Sequence, residues 1–540
     1  MRTFSAAVLV SASLLLASCA TQSPDEELAK APPPPVVAPP PAPVSAPPPP
    51  PPVPVMADAA RMVAAPTIGY RPTPGERYDA EAVASIKTVA AEPVSTFSVD
   101  VDTGAYANVR RFLNQGRMPP AAAVRTEELI NYFRYDYPLP ADRATPFSVT
   151  TNVARTPWNP ATRLLRIGLR GYDIAYRERP AANLVFLIDV SGSMSAQDKL
   201  PLVKSALSLV ADAMRPDDRT AIVVYAGAAG IVLEPTNDPS EVKAALDRLQ
   251  ADGSTAGGAG IALAYATARK NFSKDGINRI LVATDGDFNV GVTDQDALEE
   301  MIKRNRDDGI TLTTLGFGQG NYNEALMESM ADLGNGNYAY IDSANEAQKV
   351  LGEELSSTLF TIAKDVKVQI EFNPAQVKEY RLIGYENRLL AEEDFVNDTV
   401  DAGDIGAGHQ VTALYEIVPA GTAGWLPDRR YEANAPKPAP FGGKAGELAF
   451  LKLRYKLPDG TVSKLIERPI AASLMASAAA PVGDMAFATA VAAFGQKLRG
   501  DKYLGTYDYG DIRTLAGTPA NYWRQEFVQL TKIAESLDKR

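Results

Sequence analysis

The 540-residue chain has little of the chemistry on which most metalloenzymes and hydrolases depend, because it contains one cysteine, Cys19, and one histidine, His409. A single cysteine excludes an intrachain disulfide, and together the two residues exclude the usual zinc sites and multi-histidine metal centres. The formal net charge of −11 argues against a nucleic-acid binder, which needs a basic surface. Any chemistry must therefore rest on oxygen atoms of the side chains and the backbone.

The N-terminus lacks an apolar run long enough for a transmembrane helix. The run from Ala6 to Ala17 is shorter than the roughly 20 residues that span a bilayer. With Arg2 before it and small residues after it, this run predicts a signal peptide over residues 1–18. The sequence Leu16-Ala17-Ser18-Cys19 resembles the bacterial lipobox, which implies that Cys19 becomes the lipidated first residue of the mature protein. An incidental cysteine behind an ordinary signal peptide is the alternative.

Residues 19–65 are interpreted as the lipidated cysteine followed by a tether. The stretch from Pro32 to Pro54 is dominated by proline, which cannot build a core and favours extended polyproline II. We expect a membrane-attached protein of the cell envelope whose folded body is held away from the bilayer. Ala20 fits sorting to the outer membrane, facing the periplasm, whereas the inner membrane stays an open alternative.

Residues 182–363 alternate between apolar strand patterns and helical patterns. This alternation predicts an α/β domain with a doubly wound, mostly parallel sheet of six strands. The short glycine-rich link Ala226 to Gly230 predicts that the third strand is antiparallel to the second. The expected strand order is 3-2-1-4-5-6, and the last helix is expected from about Asn345 to Ala363.

Strand patterns return on both sides of this domain. The patterns predict an α+β region over residues 90–181, a β-rich region over residues 364–470 and a helical region over residues 471–540. We infer one β-sandwich-like domain into which the α/β domain is inserted. A contiguous C-terminal β domain is the alternative.

Three loops of the α/β domain carry acidic and hydroxyl side chains. The first strand leads into Asp189-Val-Ser191-Gly-Ser193, a glycine-rich loop contains Thr255, and the fourth strand leads into Thr284-Asp285. Since the first and fourth strands are expected to be neighbours, their carboxyl ends form the crevice where such sheets bind ligands. An all-oxygen set of two carboxylates and three hydroxyls suits a hard divalent cation.

These motifs resemble the von Willebrand factor type A domain and its metal-ion-dependent adhesion site. The resemblance covers about residues 182–363, and the flanks resemble those of bacterial envelope lipoproteins that carry such a domain. It implies that Ser191, Ser193 and Thr255 contribute hydroxyls while Asp189 and Asp285 bind the cation directly or through water. It further implies Mg²⁺, or Mn²⁺ or Ca²⁺, with one coordination position left for an Asp or Glu of a protein partner.

The sequence therefore favours a non-enzymatic protein-binding function, without naming the partner or the oligomeric state. One alternative is a scaffold for envelope assembly whose metal site is mainly structural. A metal-dependent hydrolase is less favoured because Asp287 is the only obvious base beside the site. Asp100-Val-Asp102-Thr103 resembles a phosphatase motif but is interpreted as a strand end with a helix cap. Arg499-Gly-Asp501 is interpreted as a helix end capped by glycine.

Overall fold

The computed structural model describes residues 75–79, 81–253, 257–286, 295–320, 322–427, 444, 446–458 and 460–539. The predicted signal peptide, the tether and Thr255 lie outside these residues. Within the described ranges, no helix is both long enough and apolar enough to cross a bilayer.

The secondary structure alternates between strands and helices along most of the described chain. The strands are β1 (Lys87–Thr88), β2 (Val94–Ser98), β3 (Phe147–Arg155), β4 (Arg163–Gly171), β5 (Ala182–Asp189), β6 (Arg219–Tyr225), β7 (Ala229–Thr236), β8 (Ile277–Thr284), β9 (Thr311–Phe317), β10 (Tyr338–Ile341), β11 (Thr361–Phe372), β12 (Val377–Ile383), β13 (Leu389–Leu390), β14 (Ile405–Gly406), β15 (Gln410–Pro419), β16 (Glu447–Lys456) and β17 (Ser463–Ala471). The helices are α1 (Gly104–Asn114), α2 (Thr126–Asn131), α3 (Leu200–Asp212), α4 (Pro239–Arg248), α5 (Gly257–Lys270), α6 (Gln295–Asp307), α7 (Glu324–Leu333), α8 (Ala344–Ala347), α9 (Leu355–Leu359), α10 (Ser473–Ala476), α11 (Gly483–Arg499), α12 (Tyr509–Ala516) and α13 (Tyr522–Asp538).

The central sheet has the order β10-β9-β8-β5-β6-β7. All neighbouring pairs are parallel except β6 and β7, which form the antiparallel hairpin that the short link predicts. Every residue of β5 is buried, as expected for a parallel strand covered by helices on both faces. The predicted fold class and strand order are therefore confirmed.

Two further sheets form a β-rich body beside the α/β domain. One has the order β1-β12-β15-β4-β3 and the other β13-β2-β11-β16-β17. Each sheet joins strands that precede the α/β domain to strands that follow it, and the apolar faces of both contribute to one core. The chain therefore folds as a β domain with the α/β domain inserted between its strands.

The C-terminal helices pack on the early helices instead of on the central sheet. Helices α11, α12 and α13 share a buried core with α1 and α2. Helix α11 ends at Arg499, and Gly500 follows it with a φ of +70°. Asp501 accepts a hydrogen bond from Arg381 at 2.9 Å, so this tripeptide is a helix end held inside the fold.

The last helical stretch of the α/β domain differs from the sequence expectation. The expected continuous helix is divided into α8, a π-helical turn over Gln348–Glu353 and α9. Strand β11 already begins at Thr361. Gly352 lies inside the π turn. Because glycine is among the residues that stabilise an α-helix least, its position is consistent with the interruption of the expected helix there.

A largely buried ionic group, here called the junction cluster, connects the α/β domain to both flanks, and Asp332 is its one exposed member. It contains seven carboxylates and two guanidinium groups, namely Asp100, Asp102, Glu127, Glu128, Glu324, Glu328, Asp332, Arg125 and Arg388. Thr103 occupies the N-cap position of α1 as predicted, but its side chain forms no capping hydrogen bond. Asp102 instead accepts a hydrogen bond from the Tyr338 backbone at 2.8 Å, which fastens the start of α1 to β10.

Candidate functional site

The candidate site lies where β5 and β8 end side by side. The two strands are parallel and paired up to Ile188 and Ala283, so Asp189 and Asp285 leave the sheet at the same edge. The chain continues from β5 towards β6 on one side and from β8 towards β9 on the other. This is a topological switch point, which opens the crevice predicted from the sequence.

Asp189 is fully buried and accepts hydrogen bonds at both of its carboxylate oxygens. Its Oδ1 accepts from the Ser191 backbone N–H at 2.9 Å, and its Oδ2 accepts from the Thr284 hydroxyl at 3.1 Å. Burial raises the pKa of Asp189 to about 6, the hydrogen bonds from Ser191 oppose this rise, and the negative charge of Asp285 adds to it. A cation at this edge would relieve the cost of ionising Asp189.

The two serine hydroxyls are brought together by a short turn. Residues Gly192–Ser195 form a 3₁₀ turn, and the Oγ atoms of Ser191 and Ser193 lie 3.0 Å apart. Ser191 is buried whereas Ser193 is exposed, so the hydroxyl pair extends from the interior towards solvent. The loop before Thr255 is fastened to this turn, because the Gly192 N–H donates to the Gly253 carbonyl at 3.0 Å.

Asp285 has a partner that the sequence did not predict. The Lys199 ammonium donates to Asp285 Oδ2 at 2.8 Å, and both side chains are buried. In the sequence, Lys199 appears only as the start of a helical pattern. Its contact with Asp285 depends on the tertiary packing of α3 against the sheet, which leaves no local signal.

The donor chemistry of the described residues fits a hard divalent cation. Asp189, Ser191, Ser193 and Asp285 supply carboxylate and hydroxyl oxygens at one edge of the sheet, which are ligands that Mg²⁺ accepts. Neither here nor elsewhere in the described residues are three His, Cys, Asp or Glu side chains arranged to hold a metal. A cation here would therefore depend on hydroxyls as much as on carboxylates. Thr255 and Asp287 lie outside the described residues.

Comparison with known proteins places this geometry in a family. The model of the von Willebrand factor type A domain matches residues 183–353, and a model described as von Willebrand factor matches residues 72–166. A third model, described as the C-terminal region of uncharacterized protein YfbK, matches residues 357–537. Uncharacterized protein YfbK of Escherichia coli K12 is 49% identical over 464 residues, which cover 84% of this chain and 80% of that protein. The chain belongs to the YfbK family.

Other similar proteins share smaller parts or only the fold. Uncharacterized protein sll0103 of Synechocystis is 32% identical over 187 residues, which are 34% of this chain and 43% of that protein. The structure titled von Willebrand factor type A from Catenulispora acidiphila is 16% identical, with a TM-score of 0.39. That likeness covers 74% of this chain and 91% of that structure. The family models alone confirm the von Willebrand factor type A domain and the YfbK C-terminal region as parts of this chain.

Proposed function

We propose that this YfbK-family protein is a cell-envelope lipoprotein that binds a protein partner through a divalent cation. The family assignment supports the coarser statement that the α/β domain is a protein-interaction module. The observation that carries the finer proposal is the meeting of Asp189, Ser191, Ser193 and Asp285 at one edge of the sheet. Mg²⁺ would be held by these four residues together with Thr255.

The partner would be bound by charge attraction. A divalent cation held by oxygen ligands keeps part of its positive field, which attracts an acidic side chain. Ser193 is exposed, so the site is open on its solvent side. We therefore propose that the partner presents an Asp or a Glu to the cation.

The metal proposal is tested with Asp189→Asn in the full-length protein. The asparagine keeps one oxygen that can accept from the Ser191 N–H, its amide N–H can donate to the Thr284 hydroxyl oxygen in place of the second acceptor, and the buried charge that a cation needs is removed. We expect calorimetric Mg²⁺ binding to be lost, together with any crosslinked partner that the wild type captures with Mg²⁺ and releases with chelator. The matched control is Asp212→Asn, which changes an exposed carboxylate of the same domain. Equal Mg²⁺ binding by the wild type and Asp189→Asn would refute the metal site.

The membrane anchor is a separate proposal that rests on the sequence. Cys19 lies outside the described residues, and the lipobox remains its only support. Two acyl chains or more on Cys19 would give durable attachment, since each buried methylene contributes about 0.8 kcal/mol. Cys19→Ser should move the protein from the outer-membrane fraction to the soluble periplasmic fraction and abolish labelling by a radioactive fatty acid. Unchanged fractionation of this variant would refute the anchor.

One observation favours the scaffold alternative. The Lys199 ammonium lies 2.8 Å from Asp285, so the chain itself supplies a positive charge to this carboxylate, as a purely structural contact would. If the scaffold function is correct, Asp189→Asn keeps the same crosslinked partners as the wild type, both with Mg²⁺ and with chelator.

A further inference from the structure

Lys199 is a buried lysine inside the candidate metal site. It is 7% exposed, and its ammonium group lies 2.8 Å from Asp285 Oδ2. Asp285 itself is 0% exposed. Lysine is almost never buried in proteins unless it is paired, so this contact accounts for the position of the side chain.

The fold provides a channel for the aliphatic part of Lys199. Gly318 follows β9 with a φ of +70°, and a Cβ atom there would lie 2.3 Å from Lys199 Cγ and 2.5 Å from Lys199 Cε. The Gly318 carbonyl accepts a hydrogen bond from the Tyr340 hydroxyl at 2.5 Å, which fixes the wall of this channel. Lys199 is thus built into the site, unlike a surface lysine that reaches a nearby carboxylate by chance.

The positive charge of Lys199 competes with a divalent cation for the two carboxylates of the site. Asp189 and Asp285 are both 0% exposed at the same edge of the sheet, and the negative charge of Asp285 adds to the cost of ionising Asp189. An ammonium group on Asp285 supplies one positive charge to this pair. It also repels a second cation placed a few ångströms away, and such repulsion is strong where water is excluded.

We propose that Lys199 is a built-in counter-charge that stabilises the cation-free site and lowers its affinity for divalent cations. This inference rests on the proposed function, because it concerns the same cation. The consequence is a site whose occupancy follows the Mg²⁺ concentration, since two buried carboxylates without the lysine would retain a cation more tightly. The protein would also fold fully before a cation arrives.

The test uses Lys199→Met in the full-length protein. Methionine keeps an unbranched side chain for the channel beside Gly318 and removes the charge. We expect Mn²⁺, measured by electron paramagnetic resonance titration, to bind about tenfold tighter or more than in the wild type. We also expect a lower unfolding temperature in chelator and a larger rise in that temperature on adding Mg²⁺.

Two further variants keep the test decisive. Lys199→Gln retains a donor for Asp285 without a charge, so it should fold where methionine fails and should also bind Mn²⁺ more tightly than the wild type. Lys270→Met is the control, because Lys270 pairs with Glu234 at 3.2 Å and both side chains are more than 60% exposed. It should leave Mn²⁺ affinity unchanged.

The outcomes separate this inference from the proposed function. Wild-type protein that binds Mn²⁺ while Lys199→Met and Lys199→Gln bind it equally or more weakly would overturn the counter-charge and leave the metal site standing. Wild-type protein that binds no Mn²⁺, with both Lys199 variants also unable to bind it, would overturn the metal site and the inference together.

Discussion

The junction cluster and the crevice both bury carboxylates, and they neutralise them in different ways. In the junction cluster, Arg125 and Arg388 contact the carboxylates directly, and the set links three parts of the chain. In the crevice, one lysine and a pair of hydroxyls surround two carboxylates, and Ser193 is exposed to solvent. A carboxylate paired with a buried guanidinium is suited to holding structure together, whereas a crevice of hydroxyls can exchange ligands with solvent.

The two regions also differ in how completely charge is balanced. Seven carboxylates face two guanidinium groups in the junction cluster, so burial and mutual repulsion favour protonation of some of them. Burial raises the pKa of Glu127 and of Glu324 to about 7, with nearby Glu386 and Glu328 respectively adding to the effect. The junction cluster therefore couples folding to pH, whereas the proposed cation site would couple the stability of the crevice to divalent cations.

The largest expected effect comes from removing the central guanidinium of the junction cluster. Arg388 contacts Glu328 at 2.9 Å and Asp100 at 3.4 Å, and Arg388→Met leaves these carboxylates buried without it. We expect a loss of about 3–5 kcal/mol in the free energy of unfolding, measured by chemical denaturation at pH 8. Arg454→Met, which breaks the partly exposed pair with Asp398, should cost less than about 1 kcal/mol. Equal losses in the two variants would show that the junction cluster is not structural.

A smaller effect on stability is expected when one of the excess carboxylates of the junction cluster, Glu324, is replaced. Folded Glu324 keeps its proton from pH 4.5 to about 7 while the unfolded chain has released it, so the folded state binds more protons. The contribution of Glu324 to stability is therefore present at low pH and is lost as the pH rises through 7. In the wild type, the free energy of unfolding should fall by an amount on the order of 2 kcal/mol between pH 5 and pH 7 because of Glu324. Glu324→Gln should remove this fall, as measured by chemical denaturation across that pH range. The control is Glu234→Gln, which changes an exposed ion pair and should keep the wild-type dependence of stability on pH. If the stability of Glu324→Gln still depended on pH as in the wild type, Glu324 would not be the group responsible.

The sequence predicts the crevice better than the junction cluster, for a physical reason. Strand β5 is a continuous apolar run that ends in Asp189, so both its burial and the edge at which the carboxylate emerges follow from local pattern and from the rules of parallel sheets. The hairpin of β6 and β7 follows in the same way from a short link.

The contacts that the sequence does not predict are those between distant segments. Asp100 follows β2 and Arg388 precedes β13, so the pairing of these two distant strands brings the two residues together, and no local pattern of either segment predicts the contact. The same holds for Lys199, whose channel depends on Gly318. The periodicity of a segment predicts which face of a helix or strand is buried, but it does not predict which charged residue of a distant segment contacts that face.

The smallest effect on stability, and the most selective one, is expected at the exposed hydroxyl of the crevice. Ser193→Ala removes an oxygen that lies 3.0 Å from Ser191 Oγ on the solvent side. The free energy of unfolding without cations should change by less than about 0.5 kcal/mol, as for most surface substitutions. Mn²⁺ affinity should fall about tenfold, or about 1.4 kcal/mol, because one oxygen ligand is lost. Ser195→Ala changes an exposed hydroxyl of the same turn and should leave affinity intact, so equal affinities of the two variants would remove Ser193 from the ligand set.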